Sequence, residues 1–349
     1  MNKNNLLINL LQRKSNQRKN SQLLQISTPN SITEYGYVKI GGIEQWITIR
    51  GEDRSNPILL FIHGGPASTY SIFSHCLRAW EKHFTIVQWD QRGAGKTFSK
   101  NGKSGSGKLS FDRLAQDGIE LVEYLCRRLQ HQKVILLASS AGSLTGIMMA
   151  KQRPDLFYAY VGTDQNVPDP QHLSYQLVLD ALSTTGNTRG VRLLEKLGPV
   201  RNNWKRQDFT RMNQFIVKAT RDVPNMISDL ILPAMLASPD HSIKDIIDIF
   251  RGMTFSLECL FDELVDFNFE KIGNRFELPF FVFQGDSDIL TPTATAKTWF
   301  DEIETPHKDF VLIRQAGHLA CFAQTDQFLE ELLKRVRPLA LSPERLLRL

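Results

Sequence analysis

The chain lacks the fastenings of a small secreted or metal-stapled protein. Its four cysteines, Cys76, Cys126, Cys259 and Cys321, lie far apart and form no CxxC pair, which fits free thiols in a reducing cytoplasm. No HExxH motif or Cys/His cluster offers metal-ligand spacing, so no metal and no cofactor is expected. No apolar run approaches the ~18 residues needed to cross a bilayer. Leu6 to Leu11 is broken by Asn9 and followed by no small-residue cleavage site, so neither stable membrane insertion nor secretion is expected. Internal repeats are absent. The one low-complexity stretch, Lys100 to Lys108, is rich in Gly, Ser and Lys and reads as a flexible loop. Residues 1–33 contain no acid, only Lys3, Arg13, Lys14, Arg18 and Lys19, and read as a solvated basic extension. Without those five, the 42 basic residues fall to 37 and match the 37 acidic ones. The body is therefore neutral, and the net charge of +5 is no argument for a nucleic-acid partner.

What is present is ordinary globular material, 42% apolar and 23% charged over 349 residues. That length suggests roughly two structural units at ~150 residues each. Tyr37 to Ile40 and Gln45 to Ile49 read as a hairpin turned at Gly41-Gly42. Unbroken apolar runs follow at Pro57 to Ile62, Phe84 to Trp89, Val134 to Leu137, Tyr158 to Val161, Pro279 to Phe283 and Phe310 to Ile313. Such runs mark strands covered on both faces, as in a parallel sheet. Helical patterns separate several of them, one capped by Ser110 and one running from Ala141 to about Gln152, so the core is α/β with a mostly parallel sheet. From about Asn166 to Asn274 only helix signals remain, among them the capping pair Ser242 and Asp245. Strand–helix–strand then returns. This divides the chain into a core of residues 34–165 and 275–349 and a helical cap of residues 166–274.

The most informative stretch is Val134-Ile-Leu-Leu-Ala-Ser-Ser-Ala-Gly-Ser143. A nucleophile presented on a sharp strand-to-helix turn needs tiny residues two before and two after it, because the two backbones pass closely there. Centring on Ser140 puts Ala138 and Gly142 at those places; Ser139 would need Leu137 to be tiny, and Ser143 would need Thr145. Ser140 alone fits. His63-Gly64-Gly65-Pro66 follows a strand where backbone N–H donors for a developing oxyanion are expected, and Gly65 and Ala141 are the candidates. His63 is assigned to orienting that loop. A serine nucleophile needs a base, and the base needs a carboxylate, in the chain order Ser, acid, His. Gln284-Gly-Asp-Ser-Asp288 and Gly317-His318 supply them just past two strand ends. His318 is the base, Asp288 the acid and Asp286 the alternative.

Those motifs, with Trp89-Asp-Gln-Arg-Gly-Ala-Gly95 between them, resemble the proline iminopeptidase branch of the α/β-hydrolases from about Tyr37 to Phe328. The resemblance implies an α/β-hydrolase fold, a Ser140–Asp288–His318 triad under the cap, and hydrolysis of small peptides or amides with a free N-terminal residue. Asp90 and Arg92 would be structural, Arg92 through an ion pair. This chain departs from the pattern in three places, one of them Ala67, where a glycine would follow Pro66. The elbow reads Ala-Ser-Ser-Ala-Gly where the branch has Gly-x-Ser-Trp-Gly, and Trp204 is followed by Lys205 where a Trp-Glu pair helps to hold the substrate's ammonium. Glu258, Glu263 and Asp266 remain as cap acids. An esterase or lactonase with the same triad, and a non-hydrolytic relative that binds or rearranges a ligand, stand as alternatives. Two near-matches to a phosphate-binding loop fail: Leu109 follows Lys108 where Ser or Thr belongs, and Asp90 stands where Gly93-Ala-Gly-Lys-Thr97 would need its first glycine. The expected partner is a small molecule or short peptide.

Overall fold

The computed structural model describes residues 3–217, 219 and 222–341. Eight strands form one sheet: β1 (Ile32–Ile40), β2 (Ile43–Gly51), β3 (Ile58–Ile62), β4 (Thr85–Asp90), β5 (Val134–Ser139), β6 (Phe157–Thr163), β7 (Phe280–Gly285) and β8 (Lys308–Ile313). Their order is β1-β2-β4-β3-β5-β6-β7-β8. The hairpin β1–β2 pairs antiparallel with itself and with β4, and every pair from β4 to β8 is parallel. The unbroken apolar runs have a direct physical cause. Leu60, Ile62, Leu136, Ala138, Phe280 and Val282 pack on one side of the sheet, while their neighbours Leu59, Phe61, Ile135, Leu137, Phe281 and Phe283 pack on the other. A strand buried on both faces has no position where a polar residue is free of cost.

The order of the strands places the site. The chain passes from β3 to β4 on one side and then crosses to β5 on the other, so the sheet has a switch point between β3 and β5. A crevice opens outside the carboxyl ends of strands at such a point. The loop at His63 and the turn at Ser140 both emerge there.

Helix α1 (Lys3–Leu23) precedes the sheet, which is flanked by α2 (Gly95–Gly105), α3 (Phe111–Leu129) and α4 (Ala141–Gln152). Between β6 and β7 come α5 (Leu173–Thr184), α6 (Thr188–Leu197), α7 (Arg206–Ile216), α8 (Leu232–Ala237) and α9 (Ile243–Val265). Ser110 caps α3 by accepting from Arg113 N, and Ser242 with Asp245 forms a complete capping box on α9. Among the described residues of 166–274 there is no strand. Helices α5, α6 and α7 enclose a small core of their own, with Val178, Leu182, Leu194, Trp204, Met212 and Ile216 at its centre. No described helix is long and apolar enough to cross a membrane.

Two expectations are corrected. The first is the solvated extension: α1 is docked, with Arg13 donating to His241 O at 2.7 Å, Gln17 to Ser238 O at 2.8 Å and Asn20 to Ala237 O at 3.0 Å. Gln17 and Asn20 satisfy carbonyls at the end of α8 that have no partner within their own helix, and Arg13 satisfies one in the turn leading to α9. The second is the flexible loop, since Lys100 to Gly105 lies in α2. The helix kinks at Gly102, which takes φ 63°, and is held from both sides. Lys103 pairs with Glu258 of α9 at 3.2 Å, and Arg92 donates to Ser106 O at 2.6 Å. Tertiary contacts outweigh the low helix propensity of its glycines.

Arg92 also makes the most buried ion pair of the core. Its Nε donates to Asp117 Oδ2 at 2.8 Å and its Nη2 to Oδ1 at 3.1 Å, with the side chains only 3% and 0% exposed. Gln45 and Arg113 donate to the same carboxylate at 2.8 and 2.7 Å. Asp117→Ala would leave a buried guanidinium without its counter-ion and should cost roughly 3–5 kcal/mol of unfolding free energy. Urea titration measures this; a loss below about 1 kcal/mol would mean that the pair is worth no more than an exposed one.

Candidate active site

The turn from β5 into α4 puts Ser140 at φ 53°, ψ −131°, a conformation that a non-glycine residue adopts only under constraint. Its backbone is pinned on both sides. Ser140 N donates to Thr163 O at 3.1 Å, and Ser143 donates to Ser140 O from its N at 2.8 Å and its Oγ at 2.6 Å. At Gly142 a Cβ would come within 2.4 Å of His63 O, so only glycine fits that close approach. The methyl group at Ala138 is accommodated because Gly146 faces it, where a Cβ would lie 2.6 Å from the Ala138 Cβ.

His318, beyond β8, approaches Ser140 Oγ through Nε2 at 2.9 Å and Asp288 Oδ2 through Nδ1 at 2.9 Å. Asp288 is buried beyond β7 and fixed by four further donors. Oδ1 accepts from Leu290 N at 2.8 Å and Thr291 N at 3.1 Å; Oδ2 accepts from Thr291 Oγ1 at 2.7 Å and Gln284 Nε2 at 3.3 Å. Burial alone would raise the Asp288 pKa, but the His318 charge and these hydrogen bonds hold it below the usual carboxylate value. His318 answers in kind: burial would lower its pKa, but the charges of Asp288 and then Asp164, with the Asp288 hydrogen bond, hold it above that of a free imidazole. Asp286 is exposed and turned elsewhere, accepting from Gln315 N at 3.0 Å and Ala316 N at 3.3 Å, which ties the two acid- and base-bearing loops together.

The loop after β3 runs beside Ser140. At Gly64 a Cβ would sit 2.6 Å from the Ser140 Cβ. Gly65 and Ala141 both border the cavity that Ser140 faces. His63 Nδ1 donates to Gly64 O at 3.1 Å, and its Nε2 accepts from Gln91 N at 3.2 Å. With both ring nitrogens engaged and burial lowering its pKa to about 4, His63 stays neutral and holds the loop. Pro66 continues that loop through a cis Gly65-Pro66 bond. Asp90 and Arg92 do not border the cavity. Asp90 Oδ2 accepts from Lys96 N at 2.8 Å in the first turn of α2, and burial raises its pKa to about 6.

Three features escaped the sequence reading. Asp164, buried beyond β6 at φ 51°, accepts through Oδ1 from Leu319 N at 2.9 Å and Ala320 N at 3.2 Å, and through Oδ2 from Ser139 Oγ at 2.8 Å. It therefore grips the backbone immediately after His318. Its place at a strand's carboxyl end, like that of Asp288 and His318, was the available signal. Asp164, Asp288 and His318 bring potential metal ligands within 4.8 Å of one another, but their lone pairs already accept the hydrogen bonds above. The second feature is the cavity itself, about 480 Å³ between the core and the cap. The third is its charge. Glu258, Glu263 and Asp266 do not border it: Glu258 pairs with Lys103, Glu263 accepts from Phe111 N at 2.9 Å, and Asp266 accepts from Asn202. Trp204 does border it, but Lys205 does not; among the described residues the charged ones besides the imidazoles are Asp169 and Arg201.

Residues 57–324 match a family model described as the alpha/beta hydrolase fold. A "Probable aminopeptidase YbaC" of Bacillus subtilis (strain 168) is 28% identical over 318 residues, covering 89% of this chain and 99% of the relative. Among solved structures, a membrane phospholipase A described as a bacterial virulence factor aligns with TM-score 0.63 at 14% identity, over 96% of this chain and 93% of that one. A proline iminopeptidase-related protein from Thermus thermophilus aligns with TM-score 0.59 at 16% identity, over 88% of this chain and 99% of that one. The eight-stranded, mostly parallel sheet, the elbow at its switch point and the family match over most of the chain agree: this protein belongs to the α/β-hydrolase fold family.

Proposed function

We propose that the protein is a serine hydrolase of small amides or esters, with Ser140 as nucleophile, His318 as general base and acid, and Asp288 as the carboxylate that orients and stabilises the imidazolium. The observation that carries this reading is the unbroken chain from Ser140 Oγ to His318 to Asp288, two contacts of 2.9 Å at the floor of the cavity. Ser140 Oγ attacks the substrate carbonyl while His318 Nε2 takes its proton. The oxyanion forms beside the Gly65 and Ala141 N–H groups, donors of a kind that contributes ~3–4 kcal/mol. Collapse expels the leaving group, which receives the proton from His318 and leaves an acyl-Ser140. Water, deprotonated by the same imidazole, then releases the acid and restores the serine.

The name of the Bacillus subtilis relative supports an aminopeptidase-like use of this machinery, as does the motif order. A specific observation favours the ester reading instead. Among the described residues, the only carboxylate bordering the cavity outside the triad is Asp169, and it already accepts from Leu173 N at 2.8 Å, Ser174 N at 2.9 Å and Ser174 Oγ at 2.6 Å. An ammonium group would find no free anion among them.

Labelling with a fluorophosphonate, followed by peptide mapping, should modify Ser140, and Ser140→Ala should abolish both labelling and turnover without changing the circular dichroism spectrum. Folded native protein that resists the probe would bring the non-hydrolytic alternative forward. Asp288→Asn should lower kcat by about 10⁴, as loss of the orienting carboxylate does elsewhere; an effect below tenfold would reassign the acid.

The pH profile carries a second expectation. The base must be neutral, and its pKa is raised, so kcat/KM should climb with pH and reach half its plateau above about 6.5, the value of a free imidazole. Asp164→Asn keeps an oxygen to accept from Leu319 and Ala320 but removes a charge. Its inflection should move to lower pH. An unchanged inflection would limit Asp164 to a structural role.

A further inference from the structure

We infer that Arg201 selects the substrate, and that this enzyme takes acyl compounds carrying a carboxylate rather than an ammonium. The inference deepens the serine-hydrolase reading of Ser140 and rests on it.

Arg201 opens the short turn Arg201–Asn203 between α6 and α7 and borders the same cavity as Ser140 and His318. Its side chain is half-buried, yet among the described residues its guanidinium donates no hydrogen bond and has no carboxylate within ion-pair distance. The contrast with the other sheltered arginines is sharp. Arg92 is held by Asp117 and two carbonyls, and Arg50 by Glu81 at 2.6 Å. A guanidinium carries five N–H donors in a planar fork, and those of Arg201 border the cavity with no partner among the described residues. Burial accordingly lowers the Arg201 pKa, and only the more distant Asp169 charge opposes that.

Among the described residues no neighbour is placed to answer this cation. Asp169 is committed to the start of α5 through the three bonds described above. Asn202, next in the chain, turns its amide to Asp266. Val200, Phe209, Ile216 and Phe269 make much of the remaining wall apolar. In such surroundings a carboxylate gains two parallel charge-assisted hydrogen bonds from the fork, strengthened by the low local dielectric. An ammonium would instead meet a like charge. The cavity's volume of about 480 Å³ suits an acyl chain of several carbons ending in that carboxylate.

The test uses the full chain and three matched sets of 4-nitrophenyl esters: the monoesters of adipic and suberic acid, their methyl diesters, and 4-nitrophenyl 6-aminohexanoate. The expected result is a kcat/KM at least about tenfold higher for a free acid than for its methyl ester, as a desolvated charge-assisted pair implies. Arg201→Gln should then reduce that ratio about fivefold or more, mainly through KM, and Arg201→Lys should keep part of it. The ratio cancels any loss of folded enzyme. A smaller acid preference at both chain lengths, a ratio that survives Arg201→Gln, or the ammonium ester as best substrate would each overturn the inference. Fluorophosphonate labelling of Ser140 separates the two readings. Labelling without acid preference defeats the role of Arg201 and leaves the hydrolase standing. Absence of both labelling and turnover defeats the hydrolase, and calorimetry with suberate then decides the anion site: binding weakened about tenfold by Arg201→Gln retains it, and no binding ends it.

Discussion

The close passage of three backbone segments at Ser140 is the constraint on which the rest of the site depends. A residue with a Cβ held at φ 53° costs of order 1–3 kcal/mol, which the surrounding packing must offset. The packing does so by crowding: Gly142 lies against the His63 carbonyl, Gly64 against the Ser140 side chain and Gly146 against Ala138. A single methyl group at any of these glycines would force the segments apart. The same crowding holds Gly65 and Ala141 at the border of one cavity, so in the mechanism proposed above their amides are in place before any substrate arrives. Preorganisation of this kind lets a donor act on a developing charge without reorganising first.

Around that turn, four buried aspartates divide the electrostatic work. Asp117 neutralises Arg92, and Asp90 satisfies an orphan N–H at the start of α2. Asp288 takes the imidazole, and Asp164 takes the backbone just past it. Except for Asp117 on α3, all lie at or just past the carboxyl end of a strand, where side chains from separate segments converge. Placing two carboxylates near one imidazole favours its charged form, which in the mechanism proposed above assists the step in which His318 holds the serine proton and opposes the step in which it must first be empty. Asp164 tempers this conflict, because part of its charge is already drawn to two backbone amides and a hydroxyl.

The parts of this structure that were legible in the sequence are those governed by local chemistry or by chain order. Strands buried on both faces write themselves as unbroken apolar runs, and the bounds of β3 to β8 fall within two residues of those runs. Strand β1 begins at Ile32, five residues before the Tyr37 expected from its pattern, because one face of this edge strand is exposed and its alternation is weak. The elbow declares itself through small residues at fixed spacing, and the preference for Asp288 over Asp286 matches the direction in which each side chain points. What was not legible depends on contacts between distant segments. The kinked helix over Lys100 to Gly105 exists because α9 lies against it, and α1 is docked because α8 ends with free carbonyls. Nothing in Val-Gly-Thr-Asp164 announces that its carboxylate meets residues 319 and 320, and a lone arginine before Asn-Asn-Trp204 looks like surface until the cavity is seen beside it.

The cap and the core answer to different rules. In the core, Asp288, Asp164 and the Ser140 backbone are each held by several partners, so a change there disturbs the site and the fold together. The cap helices α5, α6 and α7 have a hydrophobic core of their own around Trp204 and Met212. A residue on the turn between α6 and α7 can therefore change its charge without loosening the elbow. Arg201 stands on that turn at the cavity wall, apart from the Ser140–His318 contact, whereas Lys205 lies outside the cavity lining. On the reading proposed above, substrate choice is thus separable from chemistry: among the described residues the selecting charge, Arg201, belongs to the cap, and the Ser140–His318–Asp288 chain belongs to the core.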